Sequence, residues 1–254
     1  MTTTERDAAR RAELAGALTE VRQRIERACA VAGRSADEVR LLAVTKTFPA
    51  SDAALLTELG VTDLAENRDQ EAGPKAAELA GLRPDAAVRW HMVGRLQRNK
   101  AKSVIGWADL VQSVDSARLA DALAKAVAAA REAGVRSGTD GPSAPLDVLL
   151  QVSLDDAPGR GGCPLDELDQ LAEHVAQSGE LRLGGLMAVA PLGADPDPAF
   201  ERLARAAERV RRDHPGATEI SAGMSGDLEQ AVMHGATWVR VGTALLGGRG
   251  LASP

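Results

Sequence analysis

The sequence predicts an α/β fold, a single (β/α)8 TIM barrel. Short apolar runs alternate with helical patterns, there are eight such runs, and 254 residues match the length of one barrel domain. Strand–helix alternation implies right-handed crossovers and a parallel sheet. No G-x-G-x-x-G pattern follows the first run, so an open dinucleotide-binding sheet is the weaker alternative. We therefore expect one domain over residues 1–254, with the barrel over 39–249.

An amphipathic helix is predicted before the barrel, over residues 4–33. Its apolar side chains recur at spacings of three or four residues: Leu14, Leu18, Val21, Ile25 and Ala28. Gly33 is its stop signal, and we expect the helix to lie across the barrel. The predicted strands then follow in order: 39–46, 61–66, 88–94, 108–115, 146–153, 181–190, 219–225 and 236–243. A solvated loop is expected within 128–145 and a mobile one over 155–164, which contains Arg160.

Composition excludes several classes of partner. The formal charge is −6, so the composition does not indicate a basic surface for nucleic acid or an anionic membrane. Aromatic residues make up 2 % and tyrosine is absent, which removes the stacking platforms that single strands use. No apolar run approaches the ~18 residues of a membrane span, and the N-terminus lacks the apolar core of a signal peptide. The expected location is the cytoplasm.

Cysteine and histidine give no sign of a metal centre. Cys29 and Cys163 form neither a disulfide framework nor a cluster, and the four histidines are scattered along the chain. No long hydrophobic seam indicates an obligate assembly, so we expect a monomer.

Lys46 raises the question of chemistry. It ends the first predicted strand in "LLAVTKTFPA", where alternation gives it the face of Leu42 and Val44. That face of a barrel strand points inward, and functional side chains gather at the carboxyl ends of barrel strands. An amine held there presents its lone pair to a carbonyl, as a Schiff-base lysine does. The alternative is a solvated lysine at a strand end.

Two loops near the end of the chain suggest a phosphate site. "GMSGD" over 223–227 follows the seventh strand, and "VGTALLGG" over 241–248 continues the eighth. Ser225, Gly242 and Thr243 with neighbouring backbone N–H groups could surround a dianion there, and barrels often hold phosphate at these two loops. An ordinary helix cap and a turn are the alternative.

Arg240 is the third element. In "WVRVG" it alternates with two valines, so it points into the barrel if the valines pack outward. A buried guanidinium needs acceptors. Either a structural carboxylate or the ring nitrogen of a ligand could supply them. Lysine for an aldehyde, a cup for phosphate and arginine for a ring nitrogen together suggest pyridoxal 5′-phosphate (PLP).

The ordered motifs "AVTKTFP", "AENRDQE", "WHMVGRLQRNK", "GLMAVAP" and "SAGMSGDLEQAVMHGATWVRVGTALLG" resemble those of the PLP homeostasis protein family, from about residue 15 to 249. The resemblance implies a barrel like the N-terminal domain of alanine racemase, with PLP bound as an internal aldimine. It implies the following cofactor contacts: Lys46 for the aldimine, Ser225, Gly242 and Thr243 for the phosphate, Arg240 for the pyridine nitrogen, and Asn67 and His91 nearby. A structural role for His91 under the barrel mouth is the alternative.

Three functions follow from these residues. The first is a PLP carrier or buffer that acts in PLP homeostasis and passes the cofactor to other sites, apo-forms of PLP enzymes among them, without robust catalysis. The second is a PLP-dependent amino-acid racemase of narrow specificity, with His91 or a water as its second base. Racemisation needs an acid or base on each face of the substrate, and the related racemases use a tyrosine that this chain lacks. The third, without PLP, is a class I aldolase-like barrel that uses Lys46 on a sugar phosphate.

Overall fold

Eight parallel strands close into a barrel in this computed structural model, which describes residues 3–134, 144–155 and 161–248. Each strand pairs with the next one, and the last pairs with the first. The strands are β1 (Arg40–Val44), β2 (Asp63–Glu66), β3 (Arg89–Met92), β4 (Leu110–Val114), β5 (Leu146–Gln151), β6 (Leu181–Met187), β7 (Glu219–Ser221) and β8 (Trp238–Val241). The predicted barrel is confirmed. Arg160 and half of each of the two predicted loops lie outside the described residues.

Helices connect the strands on the outside. They are α1 (Thr3–Val31), α2 (Ala50–Glu58), α3 (Asp69–Leu82), α4 (Ala101–Val104), α5 (Ala117–Glu132), α6 (Leu168–Ala176), α7 (Asp197–Asp213), α8 (Leu228–Met233) and α9 (Thr243–Leu246). No helix of the described residues combines the length and the apolar character needed to cross a membrane.

The first strand is shorter than predicted. β1 ends at Val44, two residues before Lys46, because the chain turns at that point. The Phe48 N–H donates to the Thr45 carbonyl at 3.1 Å, and Thr47 between them has φ +68°. A β-branched residue in the left-handed region costs ~1–3 kcal/mol, so surrounding contacts must hold this turn. Lys46 therefore lies in a strained turn at the barrel mouth rather than on the strand.

Alternation along β8 orients its side chains as predicted. Val239 and Val241 are fully buried among apolar residues of α1 and its neighbours outside the barrel. Trp238 packs inside with Leu42, Val44 and Ala65. Arg240 follows Trp238 on the inner face and is 5 % exposed. The inward orientation of Arg240 is confirmed.

The N-terminal helix α1 packs against the segments that follow β7. Its predicted apolar stripe is buried, and each such side chain contributes ~1.5–3 kcal/mol. Three arginines of this region also donate to backbone carbonyls that follow β7. Arg10 reaches Leu246 O at 3.0 Å, Arg24 reaches Ser225 O at 3.0 Å, and Arg34 reaches the carbonyls of Val232 and Ala236, each at 2.9 Å. The helix thus packs along the outside of the barrel and supports both predicted phosphate loops.

Candidate active site at the barrel mouth

Gly242 brings the end of β8 against β1. A Cβ on Gly242 would stand 3.3 Å from the Val44 carbonyl and 3.5 Å from its Cβ, so the missing side chain lets the two backbones approach. In the ladder, Leu42 pairs with Arg240 and Ala43 with Val241. Lys46 follows β1 immediately above this contact and is partly exposed. The register thus orders Arg240, Gly242 and Lys46 along one side of the barrel, from the interior to the mouth.

Ser225 joins the two C-terminal loops. Its Oγ accepts a hydrogen bond from the Ala244 N–H at 3.2 Å, so the loop after β7 touches the first turn after β8. Ser225 is half-buried and Thr243 is exposed. Because α9 has four residues, its macrodipole is small. Any anion here is held by individual N–H and hydroxyl groups.

Gly223 and Asp227 shape the loop around Ser225. Gly223 has φ +86°, and a Cβ there would lie 2.6 Å from the Ala231 Cβ. The Met224 N–H donates to the Asp227 carboxylate at 2.6 Å, which closes the turn. From α1, Arg24 binds the Ser225 carbonyl and pairs with Glu229 at 2.6 Å and 2.8 Å. The Arg24 hydrogen bond lowers the pKa of Glu229.

Asn67 is held at the mouth by a second glycine. It directly follows β2 and is half-buried. A Cβ on Gly94 would stand 2.0 Å from the Asn67 carbonyl oxygen, a separation that no side chain can accept. The loop after β3 therefore fits against Asn67 only because residue 94 is glycine.

His91 lies deeper, in a chain of hydrogen bonds through the barrel interior. Arg240 Nη1 donates to Ser221 Oγ at 2.8 Å, and Ser221 Oγ donates to Gln112 Oε1 at 2.6 Å. Gln112 Nε2 is 3.0 Å from His91 Nδ1, and His91 Nε2 is 3.1 Å from Asp63 Oδ1. The Gln112 amide nitrogen can only donate, so His91 Nδ1 accepts, and the Asp63 carboxylate can only accept, so His91 Nε2 donates. His91 is therefore the neutral tautomer with its proton on Nε2.

Burial sets the protonation of this chain. It lowers the pKa of His91, although the hydrogen bond to Asp63 opposes the shift. Burial alone would raise the pKa of Asp63, but hydrogen bonds from His91 and Thr62 outweigh it and the pKa is lowered. Burial lowers the pKa of Arg240 to about 10, against the opposing charge of Asp227. Arg240 thus stays charged at neutral pH, and its Nη2 also donates to Ala188 O at 2.7 Å.

A buried ion pair supports the Lys46 turn from outside the barrel. Lys75 Nζ donates to the Thr45 carbonyl at 2.8 Å and to the Glu66 carboxylate at 2.5 Å. The Thr45 hydroxyl donates to the same Glu66 oxygen at 2.7 Å. Glu66 is fully buried, and its other oxygen has no partner among the described residues. These contacts fix the residue before Lys46 and hold the strained turn.

The predicted site residues divide into two groups in space. Contacts at the mouth link the segments that carry Lys46, Gly242, Thr243 and Ser225, and Asn67 follows the neighbouring strand. His91 has no exposed surface, and both its ring nitrogens are engaged below Arg240.

Sequence reasoning missed Asp63, Gln112, Ser221 and the Lys75–Glu66 pair. The one available signal was a polar residue at an inward position of an apolar strand, as Gln112 is in "LVQSV". No group of three or more potential metal-ligating side chains occurs in the part of the chain that the structure describes.

Known proteins are similar in sequence to nearly the whole chain. A family model described as the alanine racemase N-terminal domain matches residues 17–250. The pyridoxal phosphate homeostasis protein of Mycobacterium leprae is 46 % identical, with 96 % of each chain covered. The protein of that name from Escherichia coli K12 is 35 % identical, over 93 % of this chain and 97 % of the relative. The chain belongs to the pyridoxal phosphate homeostasis protein family.

Solved structures agree with this family assignment. PipY of Synechococcus elongatus, with PLP bound, superposes with a TM-score of 0.73 at 33 % identity, over 88 % of this chain and all of PipY (100 %). A protein of unknown function from Bifidobacterium adolescentis gives a TM-score of 0.84 at 30 % identity, over 93 % of this chain and 96 % of that one. Alanine racemase of Corynebacterium glutamicum shares the fold, with a TM-score of 0.62 at 16 % identity. The match spans 94 % of this chain and 62 % of that racemase, so the shared fold is one part of the racemase chain.

Proposed function

We propose that this protein binds PLP covalently through Lys46 and acts in intracellular PLP homeostasis as a carrier or buffer, without robust turnover. The observation that carries the proposal is the contact of Gly242 with Val44. At this contact the loop after β8, which we propose binds the phosphate, meets β1 two residues before the primary amine of Lys46. The names of the relatives and the PLP bound in PipY support the same cofactor.

The residues present fit PLP. The Ser225 and Thr243 hydroxyls, on the two loops that the Ser225–Ala244 hydrogen bond joins, and the backbone beside Gly242 are groups of the kind that holds phosphate. Arg240 is a buried cation that can donate to a ring nitrogen, and Asn67 adds a polar side chain at the same mouth. When bound, PLP supplies an aldehyde that condenses reversibly with a primary amine.

Each side chain then has a stated task. Lys46 provides the amine, and its partly exposed turn lets competing amines from solution reach the same carbon. Ser225, Gly242 and Thr243 bind the phosphate. Arg240 faces the ring nitrogen as a donor, which keeps a proton off that nitrogen and weakens the ring as an electron sink. Such a site stores and releases its cofactor more readily than it stabilises a carbanion.

The buried hydrogen bonds of His91 argue against the racemase alternative. A second base must reach the substrate. His91 is fully buried and both its nitrogens are committed, to Asp63 and to Gln112. We propose instead that His91 positions Arg240 through Gln112 and Ser221. The full sequence contains no tyrosine that could act as the second base of a racemase.

A transfer experiment tests the function. The purified protein is loaded with PLP, freed of excess cofactor and mixed with an apo-form of a PLP enzyme whose activity reports delivery. We expect delivery that Lys46→Ala abolishes and an added amine accelerates, with no α-proton exchange of amino acids in deuterated water. Steady α-proton exchange that Lys46→Ala abolishes would favour the racemase. A protein that takes up no PLP would contradict the proposal. The proposal includes a monomer in the cytoplasm, which sedimentation and cell fractionation test.

A further inference from the structure

A cationic cavity lies on the rim of the barrel mouth opposite the proposed phosphate loops. Its volume is about 640 Å³, and three arginines line it: Arg95, Arg98 and Arg118. The loop after β3 supplies two of them and the start of α5 supplies the third. In the closed strand order, β3 lies four strands from β7, and β4 lies four strands from β8. The cavity is therefore at the same end of the barrel as Lys46 but across the mouth.

The guanidinium groups of this cavity have no carboxylate to neutralise them fully. All three side chains are exposed, and none has a hydrogen bond or ion pair to another described residue. Asp115 is the one acid that lines the cavity, and its carboxylate accepts a hydrogen bond from the Ser116 hydroxyl. One carboxylate against three guanidiniums leaves a net charge of +2 in the cavity. Elsewhere the chain commonly pairs its arginines, as Arg10 and Arg24 show.

Backbone donors add to the positive potential. Helix α5 has 16 residues and begins in this cavity, with Ser116 as the residue before its first turn. The Ser116 side chain makes no capping bond, because its hydroxyl turns to Asp115. The N–H groups of Ala117 and Arg118 therefore have no partner in the described chain, and they point outward from the helix start. A helix of this length favours anions at its N-terminus.

We propose that this cavity binds a small phosphorylated molecule carrying at least two negative charges. Guanidinium groups pair with phosphate in two parallel hydrogen bonds, and three of them around one concavity suit two phosphoryl groups or one dianion. The volume matches small-molecule sites of ~300–1,000 Å³, whereas an acidic protein surface would need a wide, flat contact. The ligand would dock beside the mouth without entering the barrel. This inference does not rest on the proposed function, since none of its residues belongs to the Lys46 site.

Inorganic pyrophosphate is the probe. It is titrated at constant ionic strength into protein whose PLP has been fixed by borohydride, so that the phosphate loops are filled, and amide resonances are followed by NMR. We expect saturable shifts at Ser116, Ala117 and Arg118, and weaker binding of orthophosphate. Arg98→Gln and Arg118→Gln, made singly, should each weaken pyrophosphate binding at least ~10-fold, since each lost charge-assisted bond is costly.

The matched control is Arg22→Gln, which removes the same charge from an exposed position on α1. Equal weakening by Arg22→Gln would show an unspecific charge effect and overturn the proposal. Shifts confined to other regions would overturn it as well. So would saturable binding of an oligoglutamate peptide without any of pyrophosphate, because that result assigns the surface to an acidic protein. If the protein takes up no PLP, the titration is made on the PLP-free chain, where shifts at Ser225 and Ala244 are scored separately.

Discussion

Arg240 and Asp63 lie at opposite ends of one directed chain of hydrogen bonds through the barrel interior. Arg240 Nη1 donates at 2.8 Å at one end, and Asp63 Oδ1 accepts from His91 at 3.1 Å at the other. The two charged groups do not touch, and every bond between them is donated in the direction from Arg240 to Asp63. The barrel thus holds a buried cation toward its mouth without a carboxylate directly beside it. A ring nitrogen can then be the partner of Arg240.

Replacing Gln112 tests this chain. Gln112→Leu has similar volume but leaves His91 Nδ1 without a donor and the Ser221 hydroxyl without its acceptor, so we expect a loss of ~1–3 kcal/mol in the free energy of unfolding. Arg240 also loses its fixed orientation, and PLP affinity should fall with it. Chemical denaturation and absorbance titration measure the two effects.

The neighbouring Ser113 provides the control. It is 1 % exposed, and its hydroxyl has no partner among the described residues, so Ser113→Ala breaks no bond. We expect it to leave stability unchanged or raised, and PLP affinity unchanged. Equal effects of the two substitutions would contradict a role for the chain.

Acid should destabilise the protein through His91. Its folded-state pKa is lowered by burial, so between that pKa and the ordinary value near 6.5 the unfolded chain binds the extra proton. The free energy of unfolding therefore falls as pH drops below ~6.5, by up to ~1.4 kcal/mol per pH unit for one proton. Chemical denaturation at a series of pH values from about 7.5 to about 5 measures this fall in the free energy of unfolding.

Two variants isolate this contribution. His91→Gln removes the titrating ring, and the slope below pH ~6.5 should shrink. Gln112→Glu places a carboxylate beside Nδ1, which favours the protonated ring and should raise the pKa of His91. Unchanged slopes in both variants would assign the acid sensitivity to other groups.

Helix α1 should control PLP binding through Arg24. Arg24→Met removes the donor to the Ser225 carbonyl, and a hydrogen bond to a charged group contributes ~1.5–3 kcal/mol. We expect weaker PLP binding with the barrel still folded. Glu229→Gln keeps the bond to Ser225 and should have the smaller effect, because the ion pair is partly exposed. PLP affinity of the Arg24 variant equal to that of the unchanged chain would contradict the support we assign to α1.

The Lys75–Glu66 pair should be costly to break from one side. Lys75→Met leaves the Glu66 carboxylate buried without a counter-charge, and such changes cost ~3–5 kcal/mol. Adding Glu66→Gln should recover much of that loss, since no charge is then left alone. Thermal unfolding of the two variants measures the difference. A double variant as unstable as the single one would contradict the assignment of the loss to an unpaired charge.

The sequence predicted what depends on alternation. Period-two patterning put Arg240 on the inner face of β8, and strand order put Ser225 near Thr243 at one end of the barrel. It could not predict which inward side chains meet, because that depends on the stagger of strands around the closed barrel. His91 on β3, Gln112 on β4 and Ser221 on β7 meet for that reason.

The end of β1 was predicted two residues late for a different reason. The inward and outward alternation of a strand can be continued through Thr45 to Lys46, but the backbone leaves the strand because Thr47 has a positive φ. That conformation is unfavourable for threonine and is maintained by Lys75 and Glu66, which contact Thr45. Local propensity gives no sign of a turn that distant residues impose.

The position of covalent attachment tests the central claim most directly. The PLP-loaded protein is reduced with borohydride, digested, and the modified peptide identified by mass spectrometry, with Lys102→Ala as the control for an exposed lysine. We predict a single adduct on Lys46, retained in Lys102→Ala and lost in Lys46→Ala. An adduct on another lysine, or none, would contradict the claim that Lys46 is the amine that binds the cofactor.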